Sequence, residues 1–142
     1  MLEVSGISKS FGGLQAVSEA SLKVSEGSIV SLIGPNGAGK TTLFAIISGF
    51  LKADSGTVYL FGDALGGLKP FQVCQMGMVR TFQITQPFAK LSILENIMIG
   101  AYARIQNPED ATAEAYKVAE NVGIRVPLES SAADLNVAGR KR

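Results

Sequence analysis

The chain has 142 residues, 46% of them hydrophobic and 18% charged, with 13 Lys and Arg against 12 Asp and Glu. That length allows one domain with a real core, and the nearly cancelled charge leaves no basic footprint for nucleic acid and no polybasic patch for a membrane. The absence of histidine excludes His-based catalysis and His-ligated metals within this chain, and the lone Cys74 excludes an internal disulfide and suits a reducing compartment. No basic region followed by an apolar core opens the chain, so no secretory signal is expected. The longest apolar stretch, Leu91 to Ala103, is too short to span a bilayer.

In chain order, Leu2 to Ile7 alternates as an N-terminal strand does, and Ser10-Phe11-Gly12-Gly13 breaks it with a turn. Phe11 stands on that turn, an unusual place for a large aromatic. A second strand is expected over Ala20 to Val24, then a tight turn at Glu26-Gly27. The apolar, β-branched run Ser28 to Ile33 reads as a third strand. This opening is an antiparallel β layer leading into a glycine-rich loop.

The loop is Gly34-Pro35-Asn36-Gly37-Ala38-Gly39-Lys40-Thr41-Thr42, which fits the phosphate-cradling pattern G-x-x-x-x-G-K-[ST]. Apolar residues then recur at helical spacing through Leu43, Ile46, Ile47, Phe50 and Leu51. Strand, glycine-rich turn and helix is the context that makes the pattern a site rather than an accidental turn. The glycines admit backbone angles and close approaches that a Cβ would block. Consecutive N–H groups can then converge on phosphate oxygens at the positive end of the helix. Lys40 is a mobile charge able to reach the β- and γ-phosphates, Thr41 offers a hydroxyl to Mg²⁺, and Thr42 can donate to an inner phosphate.

Beyond the helix, Lys52 to Gly56 reads as a loop, Thr57 to Phe61 as a strand closed by Gly62-Asp63, and Lys69 to Gln75 as a short helix that tolerates Pro70 at its start. Gly77 stops that helix, and Met78 to Phe82 is expected as a strand. Gln83 to Pro87 reads as the loop directly after it. Ser92-Ile93-Leu94-Glu95 has the capping-box pattern and opens a helix apolar on both sides, which fits either burial or a docking face. Asn107-Pro108-Glu109-Asp110 starts a further helix, lined inside by Ala111, Ala115, Val118, Ala119 and Val122 and ended by Gly123. The composition turns from β-rich to helical near residue 84. The expected division is therefore a nucleotide-binding core over 1–83 and a partial helical subdomain over 84–142.

These stretches together resemble the ATP-binding subunit of an ABC transporter. The resemblance runs through Ser10 to Val17, the loop, Ile47 to Gly56, and Val79-Arg80-Thr81-Phe82-Gln83 followed by Leu94-Glu95-Asn96. The last two stretches resemble the branched-chain amino acid (Liv-type) importer branch. The resemblance implies an α/β P-loop NTPase fold with an N-terminal antiparallel β layer and the start of a helical subdomain, with ATP and Mg²⁺ as cofactors. It implies that Phe11 stacks on adenine, that Lys40 and Thr41 serve phosphate and Mg²⁺, and that Gln83 reaches Mg²⁺ and the attacking water and senses the γ-phosphate. It also implies a helical subdomain docked on transmembrane permease subunits, a second ATP-binding subunit as dimer partner, and a place on the inner face of the cell membrane.

Two departures from the family stand out. Leu135-Asn136-Val137-Ala138-Gly139 sits where the signature LSGGQ is expected, and only Leu135 matches outright. The sequence also stops at Arg142 before an acidic pair and switch histidine of the family kind, so it is expected to be truncated and, by itself, deficient in hydrolysis. Two rival readings remain, a non-catalytic nucleotide-fold scaffold and a P-loop kinase. The kinase would need an Arg-rich lid, for which only Arg104 and Arg125 are candidates before the C-terminal basic cluster.

Overall fold

Strand β1 (Leu2–Phe11) and strand β2 (Leu14–Val24) form an antiparallel hairpin in a computed structural model that describes residues 1–84 and 86–135. The hairpin is longer than the alternation alone suggests. Phe11 and Leu14 are its last pair, so only Gly12-Gly13 remain as the connection. A two-residue loop with glycine at positive φ (Gly12, +57°) is the preferred way to join twisted strands, and it moves Phe11 from the turn to the strand's end.

The chain divides into two compact units, Met1–Arg80 and one beginning at Thr81. In the first, strand β3 (Ser55–Leu60) pairs antiparallel with β1, and the two-residue strand β4 (Asp63–Ala64) completes a sheet of order β2-β1-β3-β4. Helix α1 (Lys40–Ile47) buries Leu43, Ile46 and Ile47 against Val4, Ile7, Val17, Val58 and Leu60 of the sheet. Helix α2 (Pro70–Gln75) adds Val73 to the same core. Each fully buried aliphatic side chain contributes about 1.5–3 kcal/mol, so this cluster is what holds α1, and the loop before it, on the sheet.

Two strand expectations are corrected. Neither Ser28 to Ile33 nor Met78 to Phe82 belongs to any strand of the described residues. Ile29 is 97% and Ile33 90% exposed. A β-branched apolar run states a preference for the pleated, half-buried surface of a sheet; the preference is realised only where a neighbouring strand offers hydrogen bonds, and among the described residues none pairs with either run.

In the second unit, helix α3 (Ile93–Ala101) packs on helix α4 (Pro108–Asn121). The expected capping box is present: Ser92 Oγ accepts from the Glu95 N–H at 3.1 Å, and Glu95 Oε2 accepts from the Ser92 N–H at 2.7 Å. Asn107 Oδ1 caps α4 through the Glu109 N–H at 2.8 Å. Ala111 and Ala115 are fully buried, while Ile93, Ala119, Leu128 and Ala132 form the unit's core. Backbone bonds from Ile93 to Ser130 and from Leu94 to Leu128 brace the start of α3. Its opposite side keeps Ile99 and Tyr102 exposed, so the helix is buried on one side only. No helix among the described residues is long and apolar enough to cross a membrane.

Candidate nucleotide site

The phosphate loop is shaped by its contact with the hairpin. Gly39 has φ +80° and serves as the N-cap residue of α1. A Cβ at this position would stand 2.1 Å from the Ala16 carbonyl oxygen and 3.2 Å from Val17 Cγ2. Only glycine permits both the left-handed backbone and the approach. The hairpin strand that begins opposite Phe11 is thereby packed directly on the loop.

Gly34 and Pro35 are exposed, Asn36-Gly37 form a turn, and Ala38-Gly39 bend into α1, whose first turn is Lys40, Thr41 and Thr42. The Ala38 N–H closes the loop on the Pro35 carbonyl at 3.3 Å. Lys40 curls back across it, donating through Nζ to the Gly34 carbonyl at 2.7 Å and the Pro35 carbonyl at 2.6 Å. These acceptors are neutral, and among the described residues Lys40 makes no ion pair, so its positive charge is not cancelled. The first turn of α1 carries no acidic residue, and no side chain caps its N-terminus. An ammonium group, open first-turn N–H groups and a positive helix end therefore coincide, which is the physical requirement for holding a polyanion.

Phe11 lies at the end of β1 with 49% of its surface exposed. The Lys9 ammonium stands 5.7 Å from the ring centroid, and it is held there by Asp54 Oδ1 at 2.6 Å. Asp54 Oδ2 also accepts from the Ser10 N–H at 2.7 Å. The Lys9 hydrogen bond, then the Ser10 N–H, keeps the Asp54 carboxyl below its usual range. Phe11 contributes nothing to the buried core, so a large, rigid aromatic face is left presented on the hairpin that packs against the phosphate loop.

Gln83 is an exposed residue in a bend at the start of the second unit. Leu135 follows the 3₁₀ turn Ala132–Asp134 and is half-buried against that unit's core. Asn136, Val137, Ala138 and Gly139 lie outside the described residues. Phe11 and Gly34 to Thr42 thus belong to the first unit, and Gln83 and Leu135 to the second.

Two further residues have roles that spacing does not reveal. Asn96 Oδ1 accepts from the Phe88 N–H at 2.8 Å, while its amide donates to the carbonyls of Phe88 at 3.1 Å and Ser92 at 2.8 Å. It clamps the segment before α3. Arg80 donates to Ser48 Oγ at 3.2 Å. Phe88 lies 8 residues from Asn96 and Ser48 lies 32 from Arg80, so no periodic signal marks these two contacts.

Comparison with known proteins places these features in a lineage. LivG of Salmonella typhimurium, a high-affinity branched-chain amino acid transport ATP-binding protein, is 44% identical over 106 residues, covering 75% of this chain and 42% of LivG. The probable branched-chain amino acid transport ATP-binding protein LivG of Archaeoglobus fulgidus is 43% identical over 99 residues, covering 70% of this chain and 38% of its own length. The crystal structure of the ADP conformation of an ATP-binding cassette of an ABC transporter superposes with a TM-score of 0.83 at 31% identity, covering 99% of this chain and 60% of that one. This chain therefore spans about two fifths of the length of these curated relatives. The sequence model of the ABC transporter family matches residues 17–139. Because that match starts on the strand packed against Gly39 and carries through the loop and both helices of the second unit, this chain belongs to the ABC transporter family.

Proposed function

We propose that the chain is the nucleotide-binding part of an ATP-binding subunit that couples ATP binding and hydrolysis to solute import, with branched-chain amino acids as the transported class. The observation that carries this reading is the uncancelled Lys40 charge at the acid-free N-terminus of α1, with Phe11 presented on the hairpin packed against the same loop. The phosphates would be held by Gly34 to Thr42, and the adenine by the face of Phe11. The residues fit a nucleotide: a Cβ at Gly39 would collide with the hairpin, and the loop offers donors without acidic competition. Mg²⁺ would be held with the help of the Thr41 hydroxyl, and when bound it supplies charge neutralisation on the phosphate oxygens.

Leu135 to Gly139 is proposed as the segment that meets the nucleotide of a second ATP-binding subunit. The second unit is proposed to face transmembrane permease subunits at the inner face of the membrane; its exposed Ile99 and Tyr102 support a docking role. Two LivG relatives above 40% identity support the substrate class. Taken by itself, the chain is proposed to bind nucleotide weakly and to turn over none at a useful rate, since phosphoryl transfer to water needs a placed metal and an oriented water as well as a phosphate cradle.

The test is titration with a fluorescent ATP analogue, with and without Mg²⁺. Lys40→Ala is expected to weaken binding by about tenfold or more, the loss of one charge-assisted contact. Equal binding by Lys40→Ala would overturn the site. ATP turnover that Lys40→Ala abolishes would overturn the statement about hydrolysis.

A further inference from the structure

The hairpin changes register where it meets the phosphate loop. Lys9 pairs with Val17 and the next residue, Ser10, pairs with Gln15, so Ala16 is an extra residue on β2. A bulge of this kind leaves the extra residue out of the ladder and bends its strand. Here that residue is Ala16, whose carbonyl oxygen stands against Gly39. From the β3 side of β1, Asp54 holds three consecutive residues of the strand. Its N–H donates to the Ser8 carbonyl at 2.9 Å, its Oδ1 accepts from the Lys9 ammonium at 2.6 Å, and its Oδ2 accepts from the Ser10 N–H at 2.7 Å. The ammonium so held lies 5.7 Å from the centroid of the Phe11 ring. The Lys9 side chain is only 15% exposed, whereas Phe11 keeps 49%. An isolated surface ion pair fixes little, but this carboxylate also grips the strand's backbone, which gives the ammonium a set place.

We propose that Asp54 is a positioning residue for adenine binding: acting through Lys9, it holds the Phe11 ring so that the ammonium covers one face and the base is received on the other. This rests on the reading that the loop binds ATP and that Phe11 stacks on its adenine. All the parts lie within the first unit. An aromatic side chain at an exposed strand end has several staggered rotamers open to it, and fixing one on binding costs affinity. A cation held against the ring is attracted to its π electrons and restricts that choice before the ligand arrives. The phosphates are fixed by the loop, so a ring already in place meets the base without further ordering.

The experiment measures displacement of a fluorescent ATP analogue by ATP and by inorganic triphosphate, both with Mg²⁺. It uses the full chain and its variants Lys40→Ala, Phe11→Ala, Asp54→Ala, Lys9→Met, Lys9→Arg and the Phe11/Asp54 double alanine variant. Asp54→Ala is expected to weaken ATP binding by about fivefold, with triphosphate affinity kept within about twofold. Lys9→Met keeps the apolar stem and the Asp54–Ser10 bond but removes the cation, and should weaken ATP binding by about threefold. Lys9→Arg should restore affinity to within about twofold, since a guanidinium can pair with the carboxylate and stack on the ring. The double variant should be no weaker than Phe11→Ala, because both changes remove one stack. Equal losses for ATP and triphosphate, additive losses in the double variant, or no rescue by Lys9→Arg would overturn the proposal. Where Asp54→Ala lowers the melting temperature enough to obscure binding, the Lys9→Met and Lys9→Arg pair decides it. A loss of ATP affinity in Phe11→Ala with none in Asp54→Ala or Lys9→Met overturns the positioning role and leaves the adenine reading standing. Wild type that binds neither ligand, Lys40→Ala that binds as well as wild type, or Phe11→Ala that binds ATP unchanged overturns the ATP reading itself and the proposal with it.

Discussion

The carbonyl oxygen of Ala16 occupies the space that a side chain on Gly39 would need, 2.1 Å from its would-be Cβ. This one approach joins the β hairpin to the phosphate loop. Gly39→Ala should therefore cost stability twice, about 1–2 kcal/mol for the left-handed backbone and about 1–3 kcal/mol for the forced shift. Gly37 is the control, with φ +83° and nothing within 4 Å of its would-be Cβ. Gly37→Ala should show only the backbone cost, about 1–2 kcal/mol. Urea unfolding of both variants checks the difference, and equal losses would show that the hairpin contact contributes nothing.

Phe11 is half-exposed and outside the core, so Phe11→Ala should leave the unfolding midpoint nearly unchanged. If its face receives adenine, the substitution removes a base–aromatic stack of about 1–3 kcal/mol. ATP affinity should then fall by about tenfold, while affinity for inorganic triphosphate stays level. Phe11→Trp should retain most of the ATP affinity. Parallel titrations with the two ligands separate an adenine platform from a general effect on the loop.

Asn96 makes three hydrogen bonds that hold the Phe88 segment to the start of α3. Asn96→Ala leaves the Phe88 N–H without its acceptor, a cost of about 1–3 kcal/mol when the group stays shielded from water. The expected result is a local opening, read as faster amide exchange at Phe88 by about tenfold or more, with exchange in α1 unaffected. Asn96→Asp keeps the acceptor for the Phe88 N–H and should be the milder change.

Acid should loosen the support beneath Phe11. Asp54, ordinarily at 3.8, is held lower first by the Lys9 hydrogen bond and then by the Ser10 N–H. A carboxyl depressed in the folded state binds fewer protons there than in the unfolded chain. Its stabilisation is therefore complete above pH 3.8 and is lost as pH falls through the lower folded value. Glu95, ordinarily 4.5 and lowered by the Ser92 N–H and then the Ser92 side chain, adds a loss of the same sign below its own ordinary value. Melting temperature should fall across this acidic range. Asp54→Asn should flatten its part of the slope, and Glu95→Gln the other part.

Much of the fold and of the site is legible in the residues. Capping chemistry is local, so Ser92 with Glu95 and Asn107 with Pro108 mark both helix starts correctly. The phosphate loop is equally plain, because its chemistry lies in backbone conformations that glycine permits and in a lysine one residue away. The same local logic fails for Ser28 to Ile33 and Met78 to Phe82. Their composition favours strands, yet a strand exists only by pairing, and no described segment pairs with them.

By itself, the sequence determined that a phosphate loop precedes a helix, that two capped helices come after it, and which lineage those stretches resemble. These are short-range facts, set by the geometry of a few consecutive residues. Only the tertiary structure decided that Ala16 presses on Gly39, that Phe11 stays exposed on the hairpin packed against the loop, that Asn96 clamps Phe88, and that Arg80 seats on Ser48 and Phe50. Those contacts join residues 8 to 32 positions apart in the chain, and no periodicity encodes them. They arise when apolar burial builds the core of each unit and leaves the remaining polar groups to find whichever partners lie within reach.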